Sequence, residues 1–344
     1  MISFLLGIFS AIVMSVVVDL TTGGTTHLLR KLRRYWFTKT AVPFDARRDE
    51  LFTITEWSPM RMLSPQRLLT RTISITSRPL QQYVEPDALQ NAVLEIGGSG
   101  KVVYLSGVEV DHRESEETQV CRVLISESEY SEVRGIEQIR LTQPDLLGSA
   151  DAAVASDVRH YLAHAVPSSI AVNIIPITQD MEVLCAERSS AVDNAIGCWT
   201  VGIFETMKRS DPNVPGSTED IYTLATRGLR EELGLLPHEF GQVMITWLGI
   251  YRPLLRGHIV AIVRLNIDKS DVQARARESD SSYEHVSFDW IPLHRSVLQS
   301  FLNAPYQQPR QTAGALIQQG DRLWIEQARL ALVEAWRFRV SLFE

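Results

Sequence analysis

The segment from Ser217 to Gly234 constrains the fold more than any other part of the chain. Its apolar residues recur at helical spacing, which predicts a helix with one face in a core. Those residues are Ile221, Leu224, Ala225, Leu229 and Leu233. Ser217 or Thr218 is predicted to cap the start of the helix, and Gly234 to end it in a left-handed conformation.

Two adjacent glutamates, Glu231 and Glu232, fall near the C-terminal end of this predicted helix. Carboxylates are unfavourable there, because that end of a helix already carries partial negative charge. The pair therefore implies a compensating cation. Mg²⁺ or Mn²⁺, which prefer oxygen ligands, is one candidate. Arg227 and Arg230 are the alternative, and the residues alone leave both open.

The spacing of this segment resembles the Nudix box. Glu219 is followed by seven residues and then Arg227, and the glutamate pair and Gly234 come in the order of the box. The segment departs from the box at two positions: the first glycine is Asn213, and the glutamate that follows the arginine is Gly228.

A second motif agrees with this resemblance. Glu284 stands a few residues before Trp290-Ile291-Pro292-Leu293, and Nudix domains carry a glutamate ahead of such a turn. The resemblance covers roughly residues 168–300. It implies an α/β/α layered domain with a mixed sheet.

The resemblance also implies a function and its residues. The family hydrolyses nucleoside diphosphates linked to another moiety and uses Mg²⁺ or Mn²⁺ as a Lewis acid. Catalytic roles would fall to Glu219, Arg227 and Glu231. Metal ligands would be Glu231, Glu232 and Glu284.

Gly228 removes a carboxylate that normally shares one helix face with the glutamate pair. A mid-helix glycine suggests that something needs the space, such as a ligand group, Trp199 or Glu205, and Glu205 could replace the missing carboxylate. Three functions stay open: a hydrolase, a degenerate nucleotide-binding sensor that signals to the membrane, and a structural scaffold. Isopentenyl diphosphate isomerase activity is not expected, because no cysteine or histidine follows Trp199-Thr200 up to Glu205.

The whole chain is predicted to divide into five segments, and the domain at 166–300 is the fourth of them. Residues 1–20 are predicted to form a transmembrane anchor, 21–45 a basic juxtamembrane segment, 46–165 a β-rich region and 301–344 a helical segment. Lys101–Val110 and Gln119–Ser126 are predicted strands, and Ser169–Thr178 is a predicted strand buried on both faces. One further strand is predicted over Gly197–Glu205.

The anchor prediction rests on the uncharged run Ile2–Val18 and on the basic residues that follow it. As a helix this run would span roughly 26 Å, and about 20 residues cross a typical bilayer. The positive flank places the C-terminal domain in the cytoplasm of a single-pass protein. The formal net charge of -7 argues against binding to duplex DNA or RNA. The expected partners are a nucleotide derivative and the membrane, and homo-oligomerisation stays open.

Three other features carry no function here. The stretch Ile96–Lys101 fails the phosphate-loop pattern, because Val102 follows the lysine, and a hairpin turn is predicted instead. His160 and His164 stand one helical turn apart and are read as structural. The three cysteines imply no disulfide framework.

Overall fold

The computed structural model describes residues 51–56, 68–72, 90–91, 101–111, 120–142, 169–191, 195–208, 219–251, 256–307 and 316–339. All of these residues lie within one compact unit, Phe44–Glu344. The predicted anchor, the basic segment, the turn at 96–100 and the pair His160 and His164 fall outside the described residues. Among the residues that are described, which begin at 51, no helix is long and apolar enough to cross a membrane.

The fold is α/β, with a large mixed sheet and a smaller second sheet. The strands are β1 (Leu51–Glu56), β2 (Leu68–Thr72), β3 (Lys101–Asp111), β4 (Val120–Glu129), β5 (Ile170–Ile177), β6 (Glu182–Arg188), β7 (Trp199–Val201), β8 (Ile203–Thr206), β9 (Met244–Tyr251), β10 (Arg256–Arg264), β11 (His285–Pro292), β12 (Tyr306–Gln307), β13 (Leu316–Gln319) and β14 (Arg322–Ile325). The large sheet has the order β1-β9-β10-β5-β6-β7-β14-β13-β12, with β8 beside β5 and β11 beside β6. The smaller sheet has the order β2-β4-β3.

Strand β5 lies inside the large sheet, where it pairs in parallel with β10 and antiparallel with β8. All eight of its residues are buried. Its apolar run has no polar face to turn towards water, so only a position covered on both faces suits it. The prediction of a strand buried on both faces is confirmed.

The prediction of one strand over Gly197–Glu205 is wrong, because the chain breaks at Gly202. Gly202 has φ +76°, and a Cβ there would lie 2.1 Å from the carbonyl oxygen of Ile174. Only glycine fits such a backbone conformation at that distance. The break sends β7 to pair with β6, while β8 pairs with β5. It thereby turns Glu205, in β8, to the helix that follows.

The helices are α1 (Tyr130–Thr142), α2 (Ile221–Leu233), α3 (Lys269–Arg277), α4 (Arg295–Asn303) and α5 (Gln327–Phe338). Helix α2 packs on β5 and β8, and its apolar residues join the main core cluster, to which Val103, Val123 and Ile125 of β3 and β4 also belong. Helix α5 packs against β5, β7 and β10. The buried residues of α5 are not among those of the cluster under α2, so α2 and α5 pack into separate parts of the core.

The large sheet takes strands from three of the predicted segments. Strand β1 comes from the predicted β-rich region and pairs with β9. The predicted helical segment 301–344 contributes β12, β13 and β14 as well as α5, and β14 joins the sheet where Trp324 pairs with Trp199. A purely helical C-terminal segment is therefore not what the structure shows, and the boundaries at 165 and 300 do not separate one sheet from another.

Candidate functional site

Helix α2 carries the candidate site, and its ends are fixed by local hydrogen bonds. The carboxylate of Asp220 accepts from the backbone N–H groups of Tyr222, at 2.9 Å, and Thr223, at 3.0 Å. The predicted caps Ser217 and Thr218 lie outside the described residues, and Asp220 takes the cap position instead. Gly234, at φ 66°, ends the helix as predicted. The five apolar residues predicted to face a core are all buried.

Arg227 organises three carboxylates from two elements and a loop. Its Nε and Nη2 atoms donate to the two oxygens of Glu219 at 3.0 and 2.7 Å. Its Nη1 atom lies 2.9 Å from Glu205 and 3.1 Å from Glu231. We call Arg227 with Glu205, Glu219 and Glu231 the Arg227 cluster. Of the two arginines considered as the compensating cation, Arg227 is the one that brings these carboxylates together.

The Arg227 cluster is mostly shielded from water. Burial lowers the pKa of Arg227, but the hydrogen bonds with Glu219 and the charge of Glu205 outweigh burial and raise this pKa above its usual value. Lys208 adds a second positive charge, 3.6 Å from Glu205 and 3.8 Å from Glu231. Glu231 is the most accessible carboxylate of the cluster, with 24% of its side chain exposed against 9% for Glu205.

Gly228 faces Glu205 across a gap that leaves no room for a side chain. A Cβ at Gly228 would lie 2.6 Å from Cδ1 of Ile174 and 3.1 Å from Cβ of Glu205. The expectation that something needs this space is met by Glu205 together with Ile174. Trp199 does not fill it, since its ring lies against Trp324 and the guanidinium of Arg322.

Glu232 points into the protein. It is 1% exposed. Its Oε2 atom lies 2.7 Å from Nε2 of His285. Burial raises the pKa of Glu232 well above its usual value, and the charges of Glu205 and Glu284 add to this rise. Burial also lowers the pKa of His285, to about 4.

Glu284 lies at the end of a short 3₁₀ turn, Ser282–Glu284, that is tied to the end of α2. The backbone N–H of Ser281 donates to the carbonyl of Glu231 at 2.9 Å, and the N–H of Ser189 donates to the carbonyl of Glu284 at 2.9 Å. Burial raises the pKa of the Glu284 carboxyl, and the charge of Glu205 raises it further. Glu284 is thus within electrostatic reach of the Arg227 cluster.

The donor chemistry of these side chains suits a hard cation, since all are carboxylates. Their arrangement does not form a metal site. Within the described residues, no group of three or more His, Cys, Asp or Glu side chains converges so as to hold a metal ion. Glu231 is engaged by Arg227, and Glu232 by His285. Glu231, Glu232 and Glu284 do not form such a group in the described part of the chain, and their role as metal ligands stays a prediction.

Sequence reasoning missed His285 and Lys208. His285 follows Glu284 directly, but its partner Glu232 is 53 positions away in the chain, and one sequence carries no signal for such a pairing. Lys208 stands three residues after Glu205 but lies far from Glu231 in the sequence, so one sequence carries no signal for their approach either.

Comparison with known proteins finds likenesses among solved structures. No protein-family model matches the chain, and no curated protein matches it. Among solved structures, DR0079 from Deinococcus radiodurans is 12% identical, with a TM-score of 0.28, and covers 38% of this chain and 71% of its own. A MutT protein from Methanosarcina mazei Go1 is 14% identical, with a TM-score of 0.23, and covers 38% of this chain and 80% of its own. At these TM-scores neither likeness carries an argument about function.

Proposed function

We propose that the domain around α2 hydrolyses a nucleoside diphosphate derivative. The observation that carries this proposal is the placement of Glu205 over Gly228. The Nudix-like segment lacks one carboxylate at position 228, and Glu205 brings a carboxylate to the same turn of the helix, where Arg227 holds it at 2.9 Å. The Arg227 cluster therefore holds three carboxylates around one arginine despite the glycine.

The charges at the site bear on the form in which the substrate arrives. A diphosphate is an anion, and the carboxylates of the Arg227 cluster and Glu284 would repel it. The substrate therefore enters as its Mg²⁺ or Mn²⁺ complex, whose cation neutralises phosphate charge and polarises the phosphoryl oxygen. In this proposal the metal arrives with the substrate, because the described side chains form no group of three that could hold it alone.

The roles of the residues follow from their exposure and contacts. Glu231, the most accessible carboxylate of the cluster, takes a proton from the attacking water. The water oxygen forms a bond to one phosphorus, and the bond from that phosphorus to the bridging oxygen breaks. The bridging oxygen leaves with the other phosphoryl group, which gives a nucleoside monophosphate and a phosphorylated moiety. Arg227 sets the direction of the Glu231 carboxylate, and Glu219 fixes Arg227 by two hydrogen bonds. A positioned general base typically contributes about 10²–10⁴ in rate.

Turnover by the purified full chain with Mg²⁺ or Mn²⁺ and a panel of nucleoside diphosphate derivatives tests this function. We expect hydrolysis by the wild type and a loss of roughly 100-fold or more for Glu231→Gln. Glu278→Gln, which alters an exposed glutamate at the end of α3, is the matched control and should keep the wild-type rate. Equal rates for all three proteins would exclude Glu231 as the base.

A second function, nucleotide binding without turnover, is favoured by the same contacts that hold the glutamates. Glu231 and Glu232 are both engaged by protein side chains, and such a site binds more readily than it reacts. Saturable binding of a nucleotide in a thermal-shift screen, with no product formed, would select this sensor role. If neither binding nor turnover is observed, the third function, a structural scaffold, remains.

The membrane anchor at residues 1–20 and the cytoplasmic position of the domain belong to this proposal as well. Their support is the uncharged run Ile2–Val18 and its one-sided basic flank. Fractionation of cells that express the full chain and a chain without residues 1–44 tests the anchor. Recovery of the full chain in the soluble fraction without detergent would contradict it.

A further inference from the structure

We propose that His285 holds Glu232 out of the Arg227 cluster and thereby limits the affinity of the site for divalent cations. By this inference Glu232 is an internal hydrogen-bonding group of this protein and does not bind metal. The inference rests on the proposed function for the relevance of the cation. It is tested on cation binding alone, without nucleotide.

The contact between the His285 and Glu232 side chains is short and shielded from water. Nε2 of His285 lies 2.7 Å from Oε2 of Glu232, and each side chain is 2% exposed. The imidazole ring also packs against Phe288, with the ring centroids 5.1 Å apart. A buried hydrogen bond without competing water is strong and is costly to break.

Glu232 has one side-chain hydrogen bond among the described residues. Its Oε1 atom is buried without a hydrogen-bond partner in that part of the chain, and the same is true of Nδ1 of His285. The charges of Arg188 and Lys208 also act on Glu232 and lower its pKa, but burial has the larger effect. The contact between Oε2 and Nε2 is therefore the hydrogen bond that fixes the direction of the Glu232 side chain. Removal of either partner would leave the other polar group unsatisfied in the interior, which is unfavourable.

Hydrogen bonds fix the backbone at Glu232, so only its side chain is free to rotate. The hydroxyl of Ser279 donates to the carbonyl of Glu232 at 2.9 Å. The N–H of Ser281 donates to the carbonyl of the preceding residue, Glu231, at 2.9 Å. A rotation of the Glu232 side chain towards the Arg227 cluster would bring its carboxylate to a cation bound there. The same rotation would leave Nε2 of His285 without its hydrogen-bond partner. Cation binding through Glu232 is weakened by that loss, by roughly tenfold or more.

Titration of the purified full chain with Mn²⁺, followed by the electron paramagnetic resonance of free Mn²⁺, tests the inference. His285→Phe keeps an aromatic ring against Phe288 but removes the partner of Glu232. We expect this variant to bind Mn²⁺ about tenfold more tightly than the wild type, because Glu232 is then free to turn to the cation. His258→Phe, which changes another buried histidine with no carboxylate contact among the described residues, is the control and should leave the Mn²⁺ affinity unchanged.

Glu232→Gln separates the two roles of Glu232. It keeps a hydrogen-bonding oxygen beside His285 and removes the charge. We expect its Mn²⁺ affinity to stay within twofold of the wild type, and we expect the double variant Glu232→Gln, His285→Phe to lose the gain of His285→Phe. Loss of Mn²⁺ binding in Glu232→Gln, or unchanged or weaker binding in His285→Phe, would overturn the inference.

A failure to fold is also informative. If His285→Phe unfolds because a carboxylate is left buried and alone, Mn²⁺ should restore its melting transition, and the double variant should fold without Mn²⁺. No rescue by Mn²⁺ would overturn the inference. Because these assays contain no nucleotide, an absence of hydrolysis would refute the proposed function and leave the role of His285 standing.

Discussion

At the scale of single residues, Gly228 shows how a departure from a motif can be a consequence of packing. The position has helical backbone angles, so a need for left-handed conformation is not the reason for glycine. The reason is the approach of Ile174 and Glu205. The sequence indicated that something would fill the space and named Glu205 as one candidate. It could not indicate Ile174, because no pattern links β5 to that turn of α2.

Gly228→Ala is predicted to destabilise the protein by about 1–3 kcal/mol through overpacking. The gain in helix propensity, about 1 kcal/mol, offsets part of the loss. The clash wins because Ile174 is fully buried and has little room to move its Cδ1 methyl group, and because the added Cβ would also lie 3.1 Å from Cβ of Glu205. Ile174→Val removes that methyl group and should recover part of the stability in the double variant. Urea unfolding measures the stability of the single variant Gly228→Ala and of the double variant.

Gly241→Ala is the matched control for this substitution. The nearest atoms to a Cβ at Gly241 lie at 3.7 and 3.8 Å, which is ordinary contact, so stability should change little. A Gly228→Ala variant as stable as the wild type would show that the neighbours move aside without cost.

His258 makes a second prediction at this scale, on acid stability. Burial lowers its pKa to about 3, with a smaller effect from the charge of Arg256. The unfolded state takes up a proton near pH 6.5 and the folded state only near 3. The free energy of unfolding therefore falls as the pH falls between these values, by up to about 1.4 kcal/mol per pH unit from this group.

His258→Phe should flatten this dependence, because phenylalanine keeps the ring contacts with Phe204 and Trp247 but does not titrate. Urea unfolding at pH 7, 6 and 5 measures the slope. His238→Gln, at an exposed histidine, should leave the slope as in the wild type. An unchanged slope in His258→Phe would mean that other groups govern the acid response.

At the scale of elements, α2 was the part that the sequence predicted best, although its start was placed two or three residues too early. The apolar spacing and Gly234 settle the helix and its end, because they act through local geometry. The start required knowledge of Glu219, whose carboxylate accepts from the N–H of Lys208 at 3.1 Å and from Arg227. Those contacts hold Glu219 outside the helix and leave Asp220 to cap it.

Asp220→Ala is predicted to cost about 1 kcal/mol of stability, the typical loss of an N-terminal cap. It removes the acceptor for the N–H groups of Tyr222 and Thr223. Asp220→Asn keeps a side-chain oxygen in place and should cost clearly less. Thermal unfolding of the two variants compares them, and equal losses would show that the charge of Asp220 matters more than its hydrogen bonds.

At the scale of the whole molecule, the sequence predicted individual strands but not the sheet. The predicted strands Lys101–Val110 and Gln119–Ser126 correspond to β3 and β4, which pair antiparallel. The addition of β1 to β9, and of β14 to β7, joins strands that are distant in the chain. Such pairings depend on which edges remain unpaired after local pairing, and a single sequence does not state this.

A buried carboxylate joins the two parts of the chain that the sequence separated at residue 165. Glu137, in α1, is 2% exposed. It accepts from Nη2 of Arg256, at the start of β10, at 2.9 Å for each oxygen, and from Arg134 at 2.7 Å. Burial raises the pKa of Glu137, but the charges of Arg256 and Arg134 together outweigh burial and lower it. The stabilisation is thus present above the unfolded pKa, near 4.3, and is lost as the pH falls through the folded value.

Glu137→Gln is predicted to destabilise the protein by about 3 kcal/mol at neutral pH, because it leaves two arginines without their shared carboxylate. The lower end of the range for buried pairs applies, since the Arg256 and Arg134 side chains are 22% and 23% exposed. Arg134→Gln leaves the contact with Arg256 intact and should cost less. In a double-mutant cycle, Glu137→Gln and Arg256→Gln should show a coupling of about 1–3 kcal/mol. Additive losses would mean that α1 and β10 are held together by apolar packing, with the ion pair contributing nothing measurable.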